Sequence, residues 1–325
     1  MKICITNKRK SWATAKTGKG FFVQRLITEL TNRGVEVTTD PEAEVDVTLG
    51  IGKFEFKPKG KAVLRLGACH IDTNSQWKKL NARKKKALKR ANGVIYQSQF
   101  SKKLCHAFLG KPKCPETVIF NGANPNEFDV EPYKSPYKYN FLASTRVWTC
   151  QKRLPQIYSA WYDAKIPNSC LWVCGEVGVR NMTVNDNRIN TSITLLGLVD
   201  QKTLASLYKL CDAMIDITWL SACPNNVVEA LVAGCPAISS NDGGIHELGW
   251  SDKKNHPFNY ACIRSDKIWN MKKPLNLNKP PKFYQYGLIG NIEGMAYHQK
   301  KEFTYGPLHI STIAKQYLDF FNDRL

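Results

Sequence analysis

Apolar and polar positions alternate along the chain in two successive series of short strands and amphipathic helices. The first opens with a β-rich run at 2–6 and a loop carrying Gly18 and Gly20. A helix from Phe21 follows, with Phe22, Leu26 and Leu30 on one face and Gly34 in the C-cap position. Residues 35–38, 45–49, 62–66, 94–96 and 117–120 read as further strands, with helices at 78–91 and 99–108 between them. A segment rich in Pro, Asn and Tyr, 121–139, interrupts the pattern and reads as a linker.

The alternation then restarts. Strands are expected at 141–145, 171–174, 193–199, 213–219 and 237–240, and helices near 154–164, 201–211 and 225–233. From 251 to 307 the chain is dense in Lys, Asn and Pro, shows little periodicity and suggests no element. From about 309 to 325 an amphipathic helix returns, with Ile310, Ile313, Tyr317, Phe320 and Phe321 on its apolar side. Strands alternating with helices predict parallel sheets covered on both faces, an α/β architecture in two domains, 1–138 and 139–307.

Length and composition fit this reading. A chain of 325 residues, 43% hydrophobic, can bury two cores, and no run reaches the roughly 20 apolar residues of a membrane span. The first apolar stretch, 3–6, is followed by Lys8, Arg9 and Lys10, the reverse of a secretory signal, so a cytoplasmic location is expected. The 11 cysteines, an odd number scattered through apolar segments, suggest reduced, buried thiols. Cys69-His70 and Cys105-His106 are adjacent pairs, and neighbouring side chains of a strand face opposite ways, so no metal site is expected.

Charge changes the picture. Of the net +20, the residues before 139 carry 27 basic against 12 acidic side chains, or +15, leaving +5 for the rest. That asymmetry points to a polyanion or an anionic membrane surface as partner of the first half. The basic helix at 78–90 is the natural place for it. Lys84, Lys85, Lys86, Lys89 and Arg90 are the candidate polyanion-binding residues, over an apolar side of Leu80, Ala87, Leu88 and Ala91. Three readings stay open there: a solvated charged helix, docking to anionic lipid headgroups, or contact with DNA phosphates while a flipped base enters a cleft.

The most informative stretch is 213–248. A buried strand leads through a short loop to Pro224, a residue well tolerated in a first helical turn, and Gly234 and Pro236 end the helix. This places backbone amides of 222–226 at the C-terminal edge of a parallel sheet, where open α/β sheets bind ligands and a helix N-terminus favours phosphate or sugar oxygens. Glu229 sits one turn into that helix beside small Ala230 and Ala233. Such a carboxylate can accept a pair of ligand hydroxyls, although spacing alone favours a solvated helix glutamate near the favourable end of the dipole.

Glu229-Ala230, Gly234 and Pro236, with Asp242-Gly243-Gly244 and Glu247 behind them, resemble the donor-site segment of family-4 retaining glycosyltransferases. The resemblance covers about residues 2–250 and extends to FLASTRVWTCQKRL at 141–154, VIYQSQFSKKL at 94–104 and VIFNGANPNEF at 118–128. It implies the GT-B architecture of two Rossmann-like domains facing a cleft, with 308–325 crossing back to the first. It further implies that Glu229 accepts from the donor ribose, that Ser221, Ala222, Cys223, Pro224, Asn225 and Asn226 line the donor site, and that Arg146 and Lys152 hold the diphosphate. Gly175 and Glu176, Val199 beside the nucleobase, and Gly18 and Gly20 opposite the phosphates complete the donor set. His70, after the strand at 62–66, would contact donor sugar or acceptor, a satisfied loop histidine being the other reading.

The expected reaction moves a sugar from a nucleotide-sugar donor to an anionic acceptor, a membrane-associated glycan or a hydroxymethylated DNA base, with retention. No Asp-x-Asp motif is present, so neither a metal nor a cofactor is expected, and no obligate protein partner. One departure matters: Ser221 stands where the family pattern has its first Glu. This uncharged position leaves open a second class of function, a non-catalytic nucleic-acid- or sugar-binding protein that kept the fold.

Overall fold

Two parallel six-stranded sheets, one from each series of the sequence, carry the molecule. The computed structural model describes residues 1–6, 12, 17–177, 193–248, 260–263, 271, 273–283, 285–297 and 306–325. The first half runs β1 (Lys2–Ile5), α1 (Gly18–Asn32), β2 (Glu36–Thr38), β3 (Val47–Ile51), β4 (Lys61–Leu66), α2 (Trp77–Leu88), β5 (Gly93–Tyr96), α3 (Gln99–Leu109) and β6 (Glu116–Val118). Its strand order is β2-β1-β3-β4-β5-β6.

The second half runs β7 (Tyr139–Trp148), α4 (Leu154–Ala164), β8 (Ser169–Val177), β9 (Ile193–Gly197), α5 (Gln201–Leu210), β10 (Ala213–Asp216), α6 (Asn225–Val232), β11 (Ala237–Ser240), β12 (Tyr260–Ile263) and α7 (Tyr286–Tyr297). Its order, β12-β11-β10-β7-β8-β9, is the doubly wound arrangement of dinucleotide-binding sheets. The order in which successive strands are added reverses between β7 and β10, and that is the crevice where such sheets take ligands.

Strand alternation explains the four cores. In β4 and β5, Val63 and Ile95 face α1, while Leu64, Leu66, Val94 and Tyr96 face α2 and α3. In the second sheet, Phe141, Leu171, Val173 and Ile215 pack under α4 and α7, and Leu142, Trp172, Cys174 and Met214 under α5 and α6. A buried Ile, Leu or Val contributes roughly 1.5–3 kcal/mol, against about 0–1 for an exposed ion pair such as Lys2–Glu36, so these faces and not surface charge hold the sheets.

The final helix, α8 (Ile310–Arg324), lays Ile310, Ile313, Tyr317, Phe320 and Phe321 into the same core as Ile3, Ile5 and α1. Arg65, buried in β4, donates to the Tyr317 hydroxyl at 2.6 Å and to Asn121, and stacks 4.1 Å over Phe22. A buried arginine thereby joins β4, α1, α8 and the linker.

Element bounds shift by a few residues in several places, and three differences from the sequence expectation have a visible cause. Helix α1 starts at Gly18 and not at 21, because the Thr17 hydroxyl caps it by accepting from Gly20 N at 3.1 Å. The strand expected to 219 stops at Asp216, whose buried carboxylate captures Thr218 N at 3.0 Å and the Thr218 hydroxyl, turning the backbone out of the sheet. Within 251–307 there is regular structure after all, β12 and α7. Helix α7 buries Leu288, Ile292 and Ala296 at four-residue spacing, a stripe disguised in sequence by Gly287, Gly290 and Gly294. Among the described residues no helix is long and apolar enough to cross a membrane.

Candidate functional site

The loops after β7 and β10 meet at the crevice of the second sheet. A register shift between Ser144 and Val147 bulges β7 against β8, and the bulge carries Thr145 and Arg146 out of the ladder. Gly175 permits it: with φ at +118°, a Cβ there would lie 2.0 Å from the Thr145 carbonyl oxygen. A single 3-10 turn, Cys150–Lys152, follows, and Arg153 takes the left-handed conformation at φ 57°. Lys152 is left half-buried at the crevice while Arg153 is fully buried. Arg153 bonds Asp242 at 2.5 Å and the Ile217 carbonyl at 3.2 Å, anchoring the loop after β10 from beneath.

That loop is held on every side. Leu220, strained at φ 60°, donates to the Asp242 carbonyl at 2.8 Å, and Gly244 N donates to the Ser221 carbonyl at 2.7 Å. Gly243 allows the approach, since a Cβ would stand 2.4 Å from the Ser221 oxygen. Helix α6 then begins with Pro224 as its N-cap and no side chain capping it, and its ladder opens with Val228 N to Pro224 O. The amides of 225–227 precede that ladder and carry the positive end of the helix dipole.

The first half supplies the opposite wall through Thr17, Gly18, Phe21 and Gln24. Asn225 ties the walls together, donating to the Gly18 carbonyl at 2.5 Å and accepting from Asn121 at 2.6 Å. Between them lies a cavity of about 780 Å³, floored by Ser144, Thr145, Arg146, Lys152, Cys174 and Gly175 and bounded by Leu198, Val199, Leu204, Ser221, Pro224, Asn226 and Glu229. At this volume it matches small-molecule sites, which run from about 300 to 1,000 Å³.

Glu229 is 4% exposed and is not a solvated surface residue. Its Oε1 accepts from Arg25 Nη1 at 2.8 Å, and its Oε2 stands 3.5 Å from the Tyr208 hydroxyl. Burial pushes the carboxyl above its ordinary value, and Arg25 opposes that shift. Arg25, in turn, also holds Glu127 in the linker by three contacts of 2.6–3.0 Å. The two carboxylates outweigh the cost of burying its guanidinium and hold its pKa above the usual value.

Of the residues expected at the site, Arg146, Lys152, Glu229, Ser221, Pro224, Asn225, Asn226, Gly175, Val199 and Gly18 line this one cavity. Others lie elsewhere. Gly20 is buried in the first turn of α1, drawn in by the Thr17 cap. Ala222 and Cys223 turn behind the loop, where Cys223 binds Asn121 through Sγ at 3.3 Å and its carbonyl at 2.8 Å. Glu176 follows Gly175 in β8, so it faces the other side and is exposed. His70 is not in the lining. Asn81 clamps its backbone from α2 at 2.8 and 2.7 Å, leaving the imidazole half-buried, and burial and Lys84 lower its pKa.

On α2, Lys85, Lys86, Lys89 and Arg90 are exposed, but Lys84 is separated from them. Its ammonium turns inward to the Ala68 carbonyl, and burial lowers its pKa. Cys69 and Cys105 share the core under α2 and α3, and among the described residues no group of three potential metal ligands occurs.

Sequence reasoning overlooked Arg25, Arg65, Arg153 and Asn121. Two of them left a signal. Arg25 falls on the apolar face of α1 one turn after Phe22, and Arg65 interrupts the apolar run of β4. A charge on a buried face needs a partner, which is what each has. Arg153 and Asn121 had no such mark.

No family model matches the chain. An uncharacterized glycosyltransferase of Methanocaldococcus jannaschii is 26% identical over 171 residues, 48% of this chain, and the match spans 44% of that relative's length. A sucrose-phosphate synthase from Thermosynechococcus elongatus superposes with a TM-score of 0.67 at 13% identity over 98% of both chains. Anabaena HepE, solved in complex with UDP and glucose, gives a TM-score of 0.61 at 14% identity, again over 98% of both. The fold is GT-B. In GT-B terms the cavity is the interdomain cleft, and Arg25, Asn121 and Asn225 are among the residues whose contacts join its two sides.

Proposed function

We propose that the protein is a retaining glycosyltransferase that takes a nucleotide sugar in this cleft. The observation that carries the reading is the convergence of Arg146, Lys152 and the uncapped start of α6 on the same cavity as Glu229. Two cations and a helix N-terminus favour a diphosphate, and a buried carboxylate one turn along favours the hydroxyls next to it. The nucleobase would lie against Leu198, Val199 and Leu204, and the sugar would point toward Ser221 and Gly18.

The reaction is then electrostatic. Arg146, Lys152 and the α6 amides stabilise the departing diphosphate of an oxocarbenium-like state, and the acceptor attacks from the same face. The acids in the lining are Asp200, which caps α5 through Thr203 N at 2.7 Å, and the ion-paired Glu229, and neither is offered as a covalent nucleophile. With cations of the protein placed for the leaving group, the reaction is expected to tolerate a chelator.

The acceptor would be polyanionic or held at an anionic membrane surface, a glycolipid or polysaccharide, or a hydroxymethylated base in DNA. The exposed Lys85, Lys86, Lys89 and Arg90 favour such a partner. Retention on duplex DNA that falls steeply with salt, set against retention on anionic vesicles, separates the two. One observation favours a second reading, a non-catalytic sugar- or nucleic-acid-binding protein: Ser221 in the cavity is uncharged where the family pattern has Glu.

Two experiments test the proposal. Crystals soaked with UDP-, GDP- and ADP-sugars should show the nucleotide between Glu229 and Lys152, and a nucleotide bound elsewhere would refute the site. UDP-sugars come first, since HepE is complexed with UDP and glucose. Slow release of nucleotide from one donor would mark an enzyme, and release from none the non-catalytic reading.

A further inference from the structure

The Arg25 fork joins three parts of the chain that are far apart in sequence. It projects from α1, its Nε and Nη2 grip the Glu127 carboxylate of the linker, and its Nη1 reaches Glu229 Oε1 on α6. Side-chain exposure is 7% for Arg25 and 5% for Glu229. The grip on Glu127 fixes the guanidinium plane, because two parallel bonds leave a planar fork no rotation. The third arm is thereby aimed at Glu229. Arg25 itself borders a separate, smaller cavity of about 300 Å³ behind the cleft, so it meets the main cavity only through the carboxylate.

Glu229 is left asymmetric. Oε1 is taken at 2.8 Å by a charged donor, while among the described residues Oε2 has only the Tyr208 hydroxyl at 3.5 Å, long for an O–H···O bond. A carboxylate offers about four acceptor positions, so this one retains capacity on the oxygen that Arg25 does not hold. We propose that Arg25 is a positioning residue: held by Glu127, it orients Glu229 so that Oε2 accepts from the vicinal hydroxyls of a nucleotide ribose. Recognition of the ribose then depends on both lobes and on the linker, although the carboxylate belongs to the second lobe alone. This rests on the cavity being the nucleotide-sugar site.

A simple structural tie between the lobes would give the same contacts, and a ribose-specific readout separates the two. Binding of UDP, GDP and ADP, and of their 2′-deoxy counterparts, is measured by calorimetry for the native chain, R25Q, R25K and E229Q, with thermal melts alongside. For the ribonucleotide that binds best, the native chain should prefer it to its deoxy form by about tenfold or more, as for a hydroxyl bonded to a charged acceptor. R25Q should bring that preference to within about twofold while binding the deoxy form as before. R25K keeps the charge but cannot grip Glu127 and reach Glu229 together, so its preference should fall between. R25Q or R25K melting lower with the preference intact would make Arg25 a structural tie only and overturn the proposal. Should R25Q not fold, R25K alone decides by the same criterion. If E229Q keeps the full preference, or no nucleotide binds the native chain, the reading of the cavity itself fails and the positioning role with it.

Discussion

At Gly175 the absence of a side chain decides where Arg146 goes. The β7 bulge brings the Thr145 carbonyl so close that any Cβ would overlap it, at a backbone angle only glycine adopts readily. G175A should therefore cost about 2–4 kcal/mol from strain and overpacking, seen as a lower midpoint in denaturant. Glu229 gives a prediction about pH. Its neighbours are Arg25, Glu127 and Tyr208, and burial raises its pKa above 4.5 in the fold. An acid raised on folding stabilises the protein below its unfolded pKa and loses that contribution as pH rises through the folded one. Mild acid therefore costs no stability through this group, but it removes an acceptor. Nucleotide-sugar affinity should fall as the solution is acidified, and E229Q should flatten the profile, measured by calorimetry at each pH. A pH-independent native affinity would contradict this. Spacing alone did not mark Glu229 as buried, and only the resemblance singled it out; its partner lies 204 residues away, and only the misplaced charge on α1 hinted at it.

Helix α3 shows how an element of one lobe is finished by the other. Ser98 caps it locally by accepting from Ser101 N at 3.0 Å, and Glu247 of the second lobe accepts from Gln99 N at 2.6 Å and Phe100 N at 2.7 Å. E247A removes these two bonds and should cost roughly 0.5–2 kcal/mol, the usual worth of a helix cap. Unfolding of the first lobe, followed by the Trp77 environment, should shift while nucleotide binding stays within about twofold. The elements themselves were largely legible, because short apolar strand runs, buried on both faces, alternate with amphipathic helices in both halves. What escaped was β12 and α7: three glycines weaken the helical signature of α7, and the apolar stripe beneath it is only three side chains deep. The early end of β10 escaped for a different reason, a side-chain capture by Asp216 that no periodicity reveals.

For the whole molecule the decisive quantity is the relative placement of the lobes. Besides Arg25 and Glu247, a strap from the second half reaches the first: Leu275 N donates to the Ile71 carbonyl and Thr73 N to the Leu275 carbonyl, both at 2.8 Å, with Asn74 bonded to Asn276 at 2.7 Å. Met271 and Leu277 rest on the core under α2 and α3. L275P would remove one donor and disfavour the paired conformation. Amide exchange at 71–75 should then accelerate by at least about tenfold with little change in the melting midpoint, since the strap buries little of either core. Unchanged exchange would show the strap to be incidental. Two-lobed architecture could be anticipated from the doubled strand–helix pattern. The strap could not, because its register depends on backbone pairing between residues some 200 positions apart.

The placement of α8 has a consequence for how the protein comes to be. Emerging from the ribosome, residues 1–120 can align their strands, but one trough of their core, beside α1, stays open to water until Ile310 to Phe321 have been translated. The lobe made first must therefore mature last, after the later one has already gathered its own sheet. A nascent chain paused between the two would display that trough to chaperones for the whole interval.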